Sequence, residues 1–204
     1  DITAAINPPK ASILRGVTIP PYGGDTLWTN LNAAYEGLSD TFRSIVDGLK
    51  GVHRFEAPAS ASKDNAYDES VRRRTMESEH PLVRVHPETG QRQLFVSPSF
   101  LKSISGMSPA ESQSMLEFLW EHTVRPEFTV RFKWEPGDIA MWDNRSTSHL
   151  APQDIFQSDF DRQLYRITLV GDVPVGIDGK ESTSLQGAPI LSVGEEMKLR
   201  AAAE

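Results

Sequence analysis

Apolar and polar positions alternate through several short stretches of this chain. Thr129–Trp134 sets Val130, Phe132 and Trp134 on one face and Thr129, Arg131 and Lys133 on the other, which predicts a half-buried strand. Ser12–Ile19 (SILRGVTI) predicts a strand closed by Pro20-Pro21 and the turn Gly23-Gly24-Asp25. Leu82–Val85 and Gln93–Val96 flank Pro87-Glu88-Thr89-Gly90, a hairpin signal. Pro136-Gly137-Asp138 turns into a strand at Ile139–Trp142, and Gln163–Val170 is the last clear strand, apolar enough to sit centrally in a sheet. Asn30–Leu38 and Ser39–Leu49 predict two short helices; Ser39 or Asp40 is placed to cap the second, with Phe42, Ile45, Val46 and Leu49 as its apolar stripe. The strongest helix is Pro109–His122, where Ser108 is the N-cap, Pro109 the first helical residue and Glu111 the closing member of a capping box. Ala57–Glu79 is rich in Ser, Asp, Glu and Arg and predicts a mobile excursion, a candidate lid. The tail after Gly176 is weakly patterned, with a terminal helix expected at Glu195–Glu204. Strands separated by Gly/Pro turns, with few helices and no regular βαβ rhythm, predict a mainly β sandwich or barrel carrying helical insertions.

Composition narrows this picture. With 204 residues the chain is expected to form one domain, 1–204. At 38% hydrophobic and 24% charged it is too apolar for a disordered tail and too polar for a membrane protein. No apolar run is long enough to cross a bilayer, and Asp1–Lys10 lacks the basic-then-apolar order of a signal peptide. The absence of cysteine excludes disulfides, thiolate metal sites and cysteine nucleophiles, and fits a cytoplasmic location. A net charge of −7 argues against a nucleic-acid partner. The chain opens on Asp rather than Met, and reads as the C-terminal part of something longer.

Five histidines are available for chemistry. His122 closes a helix, His80 and His86 flank a hairpin strand, and His53 follows a helix, so these four read as structural or surface residues. His149 stands apart, because it follows Trp142-Asp143-Asn144-Arg145-Ser146-Thr147-Ser148 just beyond a predicted buried strand. It reads either as a metal ligand or acid/base, or as a turn histidine bonded to backbone. Arg162 and Arg166 fall on one face of the last strand. If Arg166 points inward it needs an anion, either an internal carboxylate or a ligand.

From Trp134-Glu135-Pro136-Gly137-Asp138 through Trp142-Asp143-Asn144-Arg145 to His149, the chain resembles the taurine dioxygenase family of Fe(II)/2-oxoglutarate-dependent oxygenases. Further matches run in the family's order through nearly the whole chain. They are Ser12-Ile13-Leu14-Arg15, Gly23-Gly24-Asp25-Thr26-Leu27-Trp28, Ala33-Ala34-Tyr35-Glu36, His80-Pro81, His86-Pro87-Glu88-Thr89-Gly90 and Arg166-Ile167-Thr168-Leu169-Val170-Gly171-Asp172. The resemblance implies a double-stranded β-helix, a cupin-like jelly roll with one open mouth. It implies Fe(II) held by a His-x-Asp pair and a distant His, with 2-oxoglutarate as cosubstrate and O2 as oxidant. The expected reaction hydroxylates a small anionic sulfonate, sulfate ester or carboxylate and releases succinate and CO2. The Asp172-Val173-Pro174-Val175-Gly176 and Gln186-Gly187-Ala188-Pro189 segments lean towards the alkylsulfatase-like branch. A homo-oligomer without membrane contact is expected.

Carried over by position, the resemblance makes His149 the distal iron ligand. Asp1 becomes the aspartate of His-x-Asp, since it lies 25 residues before Thr26. Thr26 and Arg162 take the distal carboxylate of 2-oxoglutarate, Arg166 takes the anionic head of the substrate, and Phe95 is an aromatic near the substrate. No catalytic group is expected beyond the metal centre. Two departures stand out: the first histidine of His-x-Asp would precede Asp1, and the stretch from His149 to Arg162 is two residues longer than usual. The alternative is a truncated, non-catalytic jelly roll that keeps its anion-binding arginines. A cupin-like isomerase would need a base for which the sequence offers no candidate.

Overall fold

The computed structural model describes residues 1–55, 75–157 and 159–203. Its strands are β1 (Ala11–Thr18), β2 (Thr26–Asn30), β3 (Lys50–Phe55), β4 (Met76–Pro81), β5 (Val83–Val85), β6 (Arg92–Leu94) and β7 (Leu101–Ile104). They continue with β8 (Thr129–Phe132), β9 (Ile139–Asp143), β10 (Thr147–Leu150), β11 (Gln163–Leu169), β12 (Val175–Gly176) and β13 (Thr183–Gln186). The helices are α1 (Leu31–Glu36), α2 (Asp40–Val46), α3 (Pro109–Thr123) and α4 (Val193–Ala203). The fold is mainly β, with few helices. Among the described residues no helix is long and apolar enough to cross a membrane.

The strands pair antiparallel in four small sheets, ordered β11-β1-β9, β10-β2-β8, β12-β5-β6 and β13-β4-β3-β7. The hydrophobic core lies where α1, α2 and α3 cover the β5–β6 hairpin and β7. It is built from Ala34, Tyr35, Val46, Leu82, Leu94, Leu101, Ile104, Leu116 and Leu119, all buried. Local chemistry sets these helix starts. Asn30 accepts the backbone N–H groups of Asn32 and Ala33 at the head of α1, and Ser39, rather than Asp40, accepts from Phe42 in α2. The expected capping box of α3 is complete, with Ser108 and Glu111 exchanging bonds. The β5–β6 turn passes through Gly90 at φ 71°, a backbone region open to glycine.

Several expectations need correction. Strand β11, expected at the centre of a sheet, lies at a sheet edge, and Tyr165 and Ile167 are 60% and 62% exposed. Alternation sorts its residues into two faces correctly but does not say which face is covered, and here the apolar one faces out. Val130 on β8 and Ile45 on α2 are likewise exposed. His53, expected after a helix, sits fully buried inside β3. Of the candidate lid at 57–79, residues 57–74 lie outside the described residues, while Met76–Glu79 opens β4 and pairs with β3 and β13.

Candidate active site

Register brings the site together. In the first sheet Ser12 on β1 faces Trp142 on β9, and in the second His149 on β10 faces Trp28 on β2. Ring contacts join the two sheets: Trp28 meets Trp142 at 5.3 Å between centroids, and Trp142 meets His149 at 5.1 Å. His149 is therefore a strand residue packed on an indole, not a turn histidine. Burial pushes its imidazole below the ordinary histidine value, so the neutral, metal-binding form prevails at neutral pH.

Asp1 lies beside it, with Oδ1 at 3.6 Å from His149 Nε2. Two donors each ~2.1 Å from one ion lie ~3.0–3.6 Å apart, so the pair fits a shared metal. Among the described residues no group of three or more His, Cys, Asp or Glu side chains is gathered for a metal, so Asp1 and His149 form a pair of donors. The Asp1 carboxylate also receives the Arg166 guanidinium and the Ser12 hydroxyl, the latter at 2.6 Å. Arg166, 38% exposed on the edge strand, has this carboxylate as its partner, one of the two possibilities the sequence left open. Arg166 also lies 5.9 Å from the centroid of the Trp142 ring.

Arg162 precedes β11 and folds over Gly24, whose carbonyl accepts its Nε–H at 2.9 Å. A Cβ at Gly24 would stand 2.7 Å from Arg162 Cδ, and Gly24 holds φ at 68°. Both facts tie glycine to this corner. Arg162 makes no ion pair among the described residues. Burial moves its guanidinium down from the ordinary value, opposed by the nearby Asp154 and Asp25. Thr26 opens β2 two positions after Gly24; it is buried, and its Oγ1 accepts the indole N–H of Trp134 at 3.0 Å. The hydroxyl hydrogen of Thr26 remains for another acceptor.

A cavity of about 420 Å³ opens beside Asp1 and His149, lined by Trp28, Phe100, Val124 and Leu150 among others. Phe95 is not brought there. It is buried among His53, His80 and Arg84, stacked on His53 at 5.0 Å and 5.3 Å from the Arg84 guanidinium carbon.

An ionic network supports the turn between β9 and β10. Arg145 grips Asp143 through Nε at 3.0 Å and Nη2 at 2.7 Å, and reaches Glu88 at 2.9 Å. His86 Nδ1 accepts the backbone N–H groups of Glu88 and Thr89, so Nε2 carries the proton that it donates to Asp143. Burial pushes the Asp143 carboxyl up, but the bonds from Arg145 and His86 outweigh it and hold it at about 2. The structural reading of His86 stands, as does that of His122, whose Nε2–H donates to the Ala34 carbonyl at 2.7 Å. Sequence reasoning passed over Ser12 and Asn144. Asn144 lies within the Trp142–His149 motif, and Ser12 is signalled only by its inward position on β1.

Residues 1–168 match the profile of the taurine catabolism dioxygenase TauD, TfdA family. A sulfate ester dioxygenase of Pseudomonas putida, described as alpha-ketoglutarate-dependent, is 43% identical over 89% of this chain and 62% of its own length. An alkylsulfatase of Acinetobacter baylyi is 42% identical over 91% of this chain and 60% of its own. The crystal structure of a taurine dioxygenase from Burkholderia xenovorans superposes with a TM-score of 0.83 at 65% identity. It matches 93% of this chain and 62% of that one. The chain thus spans about three fifths of the length of these relatives. With the match running from Asp1 through the whole site to Thr168, the chain belongs to the TauD, TfdA family of dioxygenases.

Proposed function

We propose that the protein is an Fe(II)- and 2-oxoglutarate-dependent dioxygenase that hydroxylates a small anionic organic substrate. The observation that carries this reading is the approach of Asp1 Oδ1 and His149 Nε2 to 3.6 Å beside the cavity, with the Arg166 guanidinium on the same Asp1 carboxylate. Asp1 and His149 would hold the metal, with a third donor from outside the described residues. Arg162 and Thr26 would hold the distal carboxylate of 2-oxoglutarate, where a guanidinium fork suits a carboxylate better than a lysine would. Arg166 would turn from Asp1 to the anionic head of the substrate once a metal ion neutralises that carboxylate. When bound, iron and 2-oxoglutarate use O2 to convert a substrate C–H into C–OH, leaving succinate and CO2. Phe95, packed on His53, receives no substrate role.

The substrate reading leans to sulfate esters with an apolar tail. Leu27, Trp28, Val96, Phe100, Val124 and Leu150 line the cavity, and among the described residues Asp1 is the only acidic one in its lining. Among the described residues the cavity thus offers apolar surface to a tail and no spare carboxylate to an ammonium group. The fold that accords with this function is a jelly roll, in one oxygenase domain spanning 1–204. A cytoplasmic homo-oligomer completes the proposal.

The test is succinate release from 2-oxoglutarate in air with added Fe(II), screened with alkyl sulfates, taurine and aryloxy acids. Alkyl sulfates should give the strongest release. Anion binding without succinate from any of them would favour a non-catalytic binding module.

A further inference from the structure

We infer that Ser12 and Asn144 are positioning residues that hold the Asp1 carboxylate by Oδ2 and leave Oδ1 as the single oxygen offered to a metal beside His149. This rests on the reading of Asp1 and His149 as metal donors.

The hydrogen bonds around Asp1 have one consistent direction. An indole N–H only donates, so the Trp142 contact at 2.7 Å fixes Oδ1 as the Asn144 atom it meets. The Asn144 NH2 group must then face the other way, where it donates to Ser12 Oγ at 2.9 Å and to Asp1 Oδ2 at 3.3 Å. Ser12 Oγ accepts from Asn144 and from Arg166, the latter at 3.0 Å, which occupies both of its lone pairs. Its one hydrogen goes to Asp1 Oδ2 at 2.6 Å. Ser12, Asn144 and Arg166 all donate to the same carboxylate oxygen, Asp1 Oδ2.

The frame behind this relay is rigid. Ser12 is fully buried on the central strand of its sheet, in register with Trp142. The backbone N–H of Asn144 donates to the Lys10 carbonyl at 2.8 Å, fastening the end of β9 to the approach to β1. The Asp143–Arg145 pair holds the same turn from the other side. When Arg166 turns to a substrate anion, Ser12 and Asn144 remain on Oδ2. A carboxylate held in this way meets a metal through Oδ1 alone. Groups that orient a ligand from behind typically change metal affinity 10–100-fold when removed.

The test is Mn(II) binding to the full chain, followed by electron paramagnetic resonance of the free ion, with thermal unfolding as the check on folding. Asn144→Ala and Ser12→Ala should each raise the Mn(II) Kd ~10–100-fold. Ser12→Thr, which keeps the hydroxyl, should retain most of the affinity. Trp142→Phe keeps an aromatic ring on His149 and removes the indole donor; it should weaken Mn(II) binding in the same direction, and it carries the test if Asn144→Ala does not fold. Asp1→Ala separates the two ideas. If it leaves Mn(II) binding unchanged, the assignment of Asp1 as a metal donor fails. If it weakens binding strongly while folded Asn144→Ala and Ser12→Ala stay within about twofold of the parent, the positioning inference is overturned and the donor assignment stands.

Discussion

Arg162, just before β11, and Arg166, in its middle, lie four positions apart yet meet different partners, a backbone carbonyl at Gly24 and the carboxylate of Asp1. Removing a charge-assisted pair to a bound carboxylate costs ~2–5 kcal/mol. Arg162→Ala is therefore expected to raise the 2-oxoglutarate requirement with every substrate. Arg166→Ala should weaken binding of the anionic substrate and spare the slow turnover of 2-oxoglutarate alone. Steady-state titration of each component separates the two, and equal effects on 2-oxoglutarate affinity would refute the division. Gly24→Ala gives an independent check. Its Cβ would meet Arg162 Cδ at 2.7 Å, in a backbone conformation that L-residues occupy at a cost of ~1–2 kcal/mol. That variant should share the 2-oxoglutarate defect of Arg162→Ala without loss of the guanidinium. At this scale the sequence exposes residues that carry a motif, such as His149, and hides those whose role is purely spatial. Ser12 and Asn144 stand 132 positions apart, and only the β1–β9 register makes them neighbours.

Elements differ in how locally they are specified. The start of α3 is written in four consecutive residues, Ser108 to Glu111, and the structure reproduces it with both bonds of the capping box. Ser108→Ala should lower stability by ~1 kcal/mol, read by urea unfolding, with no change in succinate release because the cap is remote from Asp1 and His149. The hairpin around Gly90 is legible for the same local reason. Strands β3 and β4 are not. Their side chains include Lys50, His53, Arg54, Glu77 and Glu79, and charged groups among them pair between the two strands, as in the Arg54–Glu77 pair at 2.7 Å and the Lys50–Glu79 pair at 3.3 Å. Hydropathy alternation cannot register a strand stabilised in that way. The edge position of β11 was hidden for a related reason, since β1 pairs with both β9 and β11 and takes the centre of the sheet.

At the scale of the molecule, buried histidines link folding to pH. His53 and His80 lie inside the protein, 5.0 Å apart between ring centroids, and both read from sequence as ordinary residues. Burial is the main cause that pushes both imidazoles down, with the neighbouring His80 adding to the shift at His53. His80 falls to about 4, against bonds to the Thr3 and Ala5 carbonyls that work in the opposite direction. A folded-state value below the unfolded value of ~6.5 means that the unfolded chain takes up the proton first as pH falls. The stabilisation is therefore complete above pH ~6.5 and drains away as pH falls towards 4, by about 3 kcal/mol for His80, with His53 adding in the same direction. Asp143 acts in a lower window. Its carboxyl is held at about 2, so its contribution persists above its ordinary value and is lost only as pH falls from there towards 2. Urea unfolding between pH 7 and pH 4.5 reads the histidine window without the aspartate one. Stability should fall steadily across it in the parent protein. In His80→Gln, where no proton is taken up at that position, the slope should be shallower by up to ~1.4 kcal/mol per pH unit. The variant should start less stable at pH 7, because the Ser182 and Thr3 partners of the imidazole at 2.7 and 2.8 Å lose their geometry. An unchanged slope in a folded His80→Gln protein would show that this imidazole is not the group that couples folding to acid.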